Sequence, residues 1–568
     1  MANTITSPVI LSPVMLWENF DATLPLKESY TGEEVYGDVV YNDLYFSGRE
    51  TDGGRVRIFG VYAKSKSTGK KSNKGAILIL PDPSETVDYD LINVYVSQGY
   101  SVLMVDLRGE WEDTENFTKY PECVAYANFK NSRTAIDDVP VTAKETCWYE
   151  WAAVAKYAVT YLRSRPEVER IGVLGVRNGA NVGWMLCGTD ARVDCFVPLF
   201  GAGWRGYRGV FKNGDEELLA DDDHLRFLAG VDAHAYVKYV KCPVFYMTAT
   251  NSPDFDFDRS VDTMMRVSEN VINYTNYTPY LRNVLNKNCK RNVDLFFAKY
   301  LLDFKLIFPF EPLLSFSVSE DNVVSIELEL DFSDIKKPKT ITVYVAEGGV
   351  NPSNREWQTA KPLKGLREDK KNFIYKITGN CEFITAFAVI EYRSGVTVSS
   401  KAICKKVTNS SAFPQKLLYS SKDKTAPFTL YNLTKKSVAG LFFEGDTDIS
   451  YVQGVNGISG ISSSYGIVSY RLNNKDVTVN SNSIVLVDVY AQEFTELKIT
   501  LMVEISPLET ADYSVVIDLK GGEIWQNVSV KACDFKNSMR LSVKEYDKAV
   551  GIRFESETKC VFNNILII

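Results

Sequence analysis

The stretch "RIGVLGVRNGANVGWMLC", Arg170 to Cys187, reads as a buried strand, a glycine-bounded turn and the start of a helix. A Gly-x-Ser-x-Gly turn at such a junction strains its central residue and presents a serine hydroxyl at a helix N-terminus, poised for acyl transfer. Here the five residues are Gly175, Val176, Arg177, Asn178 and Gly179. A guanidinium keeps its proton to a pKa above about 12 and cannot attack an acyl carbon. Asn178 is no nucleophile either. What remains is a set of backbone N–H groups at a helix N-terminus and the planar fork of Arg177, which suit a carboxylate or a phosphate. Two expectations follow. The turn binds an acidic ligand such as a uronic acid or an acyl carboxylate, or Arg177 is held by an internal carboxylate from Asp106, Asp254, Asp256 or Asp258, because a buried guanidinium needs a partner in either case.

Other reactive residues are sparse. Ten cysteines are dispersed without a CxxC pair, and several lie inside apolar runs such as "MLCGT" and "VDCFVPLF". They read as buried free thiols of a reducing compartment, which points to the cytoplasm. Cys147 opens a helix and Cys187 lies nearly three turns beyond the apex, neither with a histidine close in sequence. Two histidines ten residues apart, His224 and His234, match no zinc spacing, so no metal is expected. Neither GxGxxG after a strand nor GxxxxGK[ST] occurs, and no cofactor is expected.

The elements that must position the turn come from residues 75–305. Short apolar runs alternate there with helical patterns: "GAILILPDP", "YDLINVYVSQGY", "SVLMVDLRGE", "TCWYEWAAVAKYAVTYLRSRP", the turn itself, "VDCFVPLFGAGW", "CPVFYMTATNS" and "NVDLFFAKYLLDF". Such alternation predicts a mostly parallel sheet flanked by helices. Residues 35–64 predict an antiparallel hairpin before the sheet. From about Pro312 the pattern changes to short alternating strands, first at β-sandwich spacing, then, after a Ser- and Lys-rich linker at Lys405–Lys424, in a second all-β stretch. The expected fold class is α/β followed by two all-β sandwich domains, with boundaries at 1–310, 311–408 and 425–568.

Four landmarks in order carry a resemblance over roughly residues 35–305: "VDLRGE" (Val105–Glu110), the turn at Gly175–Gly179, "FVPLFGAGW" (Phe196–Trp204) and "VKCPVFYMTATNS" (Val240–Ser252). Together they resemble the α/β-hydrolase superfamily, near its dienelactone-hydrolase, acetyl-xylan-esterase and cocaine-esterase-like members. That likeness implies a Ser–His–acid triad, with histidine in the loop after the last strand. The matching stretch, Val271–Asp294, holds none, and both histidines lie upstream. Ser252 stands where similar hydrolases carry the acid, and Asp254, Asp256 and Asp258 follow it as carboxylates or as caps of the next helix. An acid with no serine or histidine has nothing to orient. Trp204, Arg205 and Tyr207, with Arg208, are placed to rim the pocket, where aromatic and guanidinium groups suit a sugar or acyl group.

Residues 425–568 loosely resemble galactose-binding-like jelly rolls of carbohydrate-binding modules through the ending "CVFNNILII", with Trp525 and Tyr546 as candidate sugar platforms. With 64 Lys and Arg against 72 Asp and Glu the net charge is −8, which argues against nucleic acid as a partner. No apolar run approaches the roughly 20 residues of a membrane span, and no signal peptide is apparent. The sequence thus predicts a catalytically inactive pseudo-hydrolase. It would bind a small acidic or saccharide ligand, or a protein partner, through Arg177, Asn178, Trp204, Arg205 and Tyr207. The alternatives are a carbohydrate or acyl esterase with an atypical site, and a structural, self-associating protein.

Overall fold

The computed structural model describes residues 9–568 apart from 24, 67–73, 113, 204–221, 253, 280, 282–283, 332–337, 349–351, 364–368, 378–382, 408–416, 420–428, 431–440, 444–448, 464–465, 474–478, 507–508 and 523. Strands β1 (Ser29–Tyr36), β2 (Val39–Thr51), β3 (Gly54–Ser65), β4 (Gly75–Leu80), β5 (Ser101–Val105), β6 (Arg170–Val176), β7 (Cys195–Leu199), β8 (Val244–Ala249) and β9 (Asn273–Thr278) form one sheet. Its order is β1-β2-β3-β5-β4-β6-β7-β8-β9. The first three strands meander antiparallel and β3 meets β5 antiparallel; from β5 onward all neighbours run parallel. The expected hairpin is therefore not separate from the sheet but its antiparallel edge.

The helices are α1 (Pro13–Leu16), α2 (Tyr89–Val96), α3 (Phe129–Ser132), α4 (Cys147–Arg163), α5 (Asn178–Cys187), α6 (Asp222–Gly230), α7 (Ala233–Tyr236), α8 (Phe257–Met265) and α9 (Lys287–Leu301). α2 and α9 bury Tyr95, Val293 and Phe297 on one face of the sheet. α4, α5 and α8 bury Trp151, Trp184 and Phe257 on the other. Two covered faces explain why β4 is apolar at nearly every position and buried throughout. α4 starts where the sequence places it, because the Thr146 hydroxyl caps the Tyr149 N–H at 3.3 Å.

Strand β9, "NYTNYT", lies inside the stretch that the sequence reading treats as a loop. Its residues are polar yet buried, since Thr275 Oγ1 donates to the Ser399 carbonyl at 3.2 Å and Tyr277 N–H to Ser399 Oγ at 2.9 Å. No periodicity of apolar residues reveals a strand whose inward groups are satisfied by another part of the chain.

Beyond α9, β10 (Leu285–Asn286) having been the last strand of the first region, come β11 (Leu313–Val318), β12 (Val323–Glu329), β13 (Pro338–Gly348), β14 (Glu356–Thr359), β15 (Lys361–Pro362), β16 (Lys370–Lys376), β17 (Phe383–Tyr392), β18 (Thr397–Ser399) and β19 (Ile403–Lys406). They form two antiparallel sheets, β11-β12-β16-β15 and β14-β13-β17-β18, with β19 on β17. A second pair of antiparallel sheets follows, packed on Val487, Ile499, Leu501, Phe554 and Phe562. No helix among the described residues is long and apolar enough to cross a membrane.

The two pairs of sheets meet at Glu356. Its Oε1 accepts from Ser469 Oγ at 2.8 Å and from Tyr470 N–H at 2.7 Å, with Arg471 Nε 4.0 Å from Oε2. Burial pushes this carboxyl up to about 7, against the opposing pull of Arg471 and these hydrogen bonds; Glu347 adds to the rise. The folded state then holds a proton that the unfolded state releases near pH 4.5, so the contact is strongest at low pH and weakens as pH rises toward 7. Amides of 469–471, corrected for intrinsic exchange, are expected to exchange faster at pH 8 than at pH 5.5. Glu356→Gln is expected to remove the difference, and equal protection at both pH values in the unaltered protein would refute this account.

Candidate functional site

The site is built on the junction of β6 and α5. Arg177 has φ 53° and ψ −118°, a region that costs a side-chain-bearing residue about 1–3 kcal/mol. The surroundings impose it. A Cβ on Gly175 would sit 2.6 Å from Ala180 Cα, one on Gly179 2.1 Å from the Leu80 oxygen, and one on Gly201 2.2 Å from the Arg177 oxygen. Arg177 N–H donates to the Leu199 carbonyl at 2.9 Å and Ala180 N–H to the Arg177 carbonyl at 3.0 Å. The backbone therefore holds the strained turn of a nucleophile elbow, with arginine at its apex. The strand order and this turn form the α/β-hydrolase-like, mostly parallel sheet flanked by helices that the sequence predicts.

No family model matches the sequence, and no curated protein does. Several solved structures match about half of the chain. An acetyl xylan esterase from Paenibacillus sp. is 16% identical, covering 52% of this chain and 98% of its own, with a TM-score of 0.41. Acetyl xylan esterase from Thermoanaerobacterium sp. is 17% identical, with coverages of 53% and 96% and a TM-score of 0.37. An esterase from Pyrococcus furiosus is 16% identical, with coverages of 53% and 99% and a TM-score of 0.31. What the centre can do must come from its own residues.

In acyl-transfer elbows the N–H after the apex and a second N–H from an earlier strand-to-helix loop bind the oxyanion. Here Asn178 N–H donates to Asp82 Oδ2 at 3.1 Å. Asp82 lies in the loop between β4 and α2, is only 5% exposed, and its Oδ1 accepts from Ser84 N–H at 2.9 Å and Ser84 Oγ at 2.6 Å. The N–H at the position that binds the oxyanion in such elbows faces a carboxylate here. The guanidinium of Arg177 pairs with Glu85 of the same loop; the side chains are 22% and 48% exposed, so the pair is a wet one worth about 0–1 kcal/mol.

The carboxylates anticipated from the sequence lie elsewhere. Asp106 is buried and accepts from Thr118 N–H at 2.8 Å and Gly109 N–H at 3.0 Å; burial pushes it up to about 6 despite those bonds. Asp254 is exposed. Asp256 caps α8 through the Arg259 N–H at 3.0 Å. Asp258 grips Arg355 from the preceding turn of β14, with both oxygens at 2.6 Å. Trp204, Arg205, Tyr207 and Arg208 lie outside the described residues.

The loops after β8 and β9 contact distant parts of the chain. Asn251, after β8, donates through Nδ2 to the carbonyls of Ser353 at 3.1 Å and Arg355 at 2.8 Å. β10, in the loop after β9, pairs in parallel with Phe442–Phe443. His234 stands 3.4 Å from Asp232 Oδ1 at the start of α7; the side chain of His224 is outside the description. Trp525 and Tyr546 are tied to their own scaffold, Trp525 Nε1 to the Val455 carbonyl at 3.2 Å and Tyr546 Oη to the Ala532 carbonyl at 3.3 Å.

Sequence reasoning missed Asp82 and Glu85. Their signal was present: "PDPSE" (Pro81–Glu85) puts two acids directly after a buried strand, where a parallel sheet directs its loops toward the elbow.

Proposed function

We propose that this protein is a pseudo-hydrolase that recognises a carboxylate-bearing small molecule, such as a uronic-acid saccharide, at Arg177. The observation that carries the reading is the pairing of loop 81–85 with the elbow: Asp82 occupies the Asn178 N–H and Glu85 occupies the guanidinium. An acyl oxyanion would be repelled by Asp82, and no hydroxyl stands at the apex to create one. A carboxylate ligand, by contrast, needs only to replace Glu85, which is half-exposed and regains water when displaced.

The test has two arms. Titration with glucuronate is expected to show binding that Arg177→Ala abolishes and that Glu85→Gln tightens about tenfold, since the competing carboxylate is gone. Fluorophosphonate probes and p-nitrophenyl acetate are expected to give neither labelling nor turnover above buffer. Stoichiometric labelling of one serine would establish an esterase instead. Glucuronate binding that ignores both substitutions would remove Arg177 from the site.

A further inference from the structure

At the opposite end of the sheet from Arg177, a cavity of about 390 Å³ opens where α5 ends and β7 and β8 begin. Residues 187–191 line it from the end of the helix, 193 and 194 from the approach to β7, and 239 and 241–243 from the approach to β8. No residue of the elbow takes part. Its volume falls in the range of roughly 300–1,000 Å³ typical of pockets that hold small molecules.

The lining carries charge of both signs, kept apart. Asp190 and Asp194 belong to it, whereas the arginines that hold them do not. Asp190 accepts from Arg192 Nε at 2.9 Å and Nη2 at 2.6 Å, so both of its oxygens are engaged. Asp194 accepts from Arg163 Nη2 at 2.9 Å and Ile171 N–H at 2.8 Å through Oδ2 alone, and among the described residues nothing donates to its Oδ1. The carbonyl end of α5 adds partial negative charge to the same wall. Lys156 meets the Thr189 carbonyl at 3.1 Å and is not part of the lining. On the side of β8 stands Lys241, exposed and with no ion-pair partner among the described residues. Ala191, Val193 and Pro243 supply apolar surface. Among the described residues no group of three acidic, cysteine or histidine side chains is arranged to hold a metal ion.

We propose that this cavity binds a small zwitterion of the α-amino-acid class, with its ammonium at Asp194 Oδ1 and the end of α5 and its carboxylate at Lys241. Each end of such a ligand meets a group of opposite sign, so neither charge is left unpaired when water is displaced. A lone cation would leave Lys241 uncompensated in the lining. A lone anion would lie against Asp190, Asp194 and the negative end of the helix. An aliphatic side chain suits the surface of Ala191, Val193 and Pro243. The assignment is independent of what Arg177 binds, because β6, β7 and β8 run parallel and the two sites lie at opposite ends of them.

The test titrates the full chain calorimetrically with L-leucine, L-methionine and L-threonine, each to about 10 mM. At least one is expected to bind at one site per chain. For that amino acid, both its amide, which lacks the carboxylate, and its deamino acid, which lacks the ammonium, are expected to bind about tenfold more weakly. Lys241→Ala is expected to weaken the amino acid about tenfold and to leave the amide unchanged. Asp194→Asn is expected to weaken amino acid and amide alike, with folding checked by circular dichroism because Arg163 and Ile171 depend on Asp194. Arg177→Ala is expected to bind as the unaltered chain does. Lys241 is exposed and unpaired among the described residues, so its variant decides the matter even if the Asp194 variant fails to fold. No binding by any of the three, an amide or deamino acid that binds as tightly as its parent, or affinity that survives Lys241→Ala would each overturn the proposal. Loss of binding in Arg177→Ala would also overturn it, by moving the ligand to the elbow.

Discussion

Asp258→Ala is expected to lower stability by about 3–5 kcal/mol, although it changes one residue at a helix start. Its partner Arg355 has a side chain only 1% exposed, and the two guanidinium nitrogens meet the two carboxylate oxygens at 2.6 Å each. Removing the acid leaves a buried permanent charge without its two-point carboxylate partner where the α/β region meets the first pair of β sheets; Asp256 acts on it only at longer range. The pair itself can be nearly neutral against a well-packed apolar replacement, because two charges were desolvated to make it. The double substitution Asp258→Leu/Arg355→Met is therefore expected to recover most of the loss. Unfolding in a chain of several modules need not be two-state, so the readout is hydrogen exchange around residues 353–359 and 256–260 beside the denaturation midpoint. A loss below about 0.5 kcal/mol in Asp258→Ala would mean that water reaches Arg355 and that the modules are held by other contacts.

Gly179→Ala is expected to cost about 3 kcal/mol or more, against the usual sign for its setting. Within a helix, exchanging glycine for alanine normally stabilises by about 0.5–1 kcal/mol. Here the new methyl would lie 2.1 Å from the Leu80 oxygen and 2.3 Å from the Pro81 oxygen, and both are backbone atoms that cannot rotate away. α5 would have to lift from β4, which also separates Asn178 N–H from Asp82. Denaturant unfolding compared with the unaltered chain measures the cost. An alanine variant as stable as the parent would show that the elbow is not under the constraint described, and glucuronate binding in that variant would report whether the geometry at Arg177 survives.

Much of the α/β region was legible because its physics is local or periodic. Apolar runs with both faces covered, caps such as Thr146 and Asp256, and glycines at a tight junction leave marks in the chain. The polar strand β9 left none, since the groups that satisfy Thr275 and Tyr277 come from Ser399, more than a hundred residues away. Arg177 was visible at once, but its partner was not. Four aspartates were plausible from their place in the chain, and among the described residues the carboxylate paired with the guanidinium, Glu85, belongs to a loop aimed by β4.

Residue chemistry alone excluded an acyl nucleophile at the apex of the turn, because no arrangement of neighbours turns the Arg177 guanidinium into one. It also set the alternation of strand and helix that makes the elbow possible. Which carboxylate meets Arg177, the pairing of the Asn178 N–H with Asp82, and the contacts of the loop after β8 with Ser353 and Arg355 were settled by folding. These are encounters between groups far apart along the chain, and distance and direction in space, not residue type, determine whether charges pair or hydrogen bonds close.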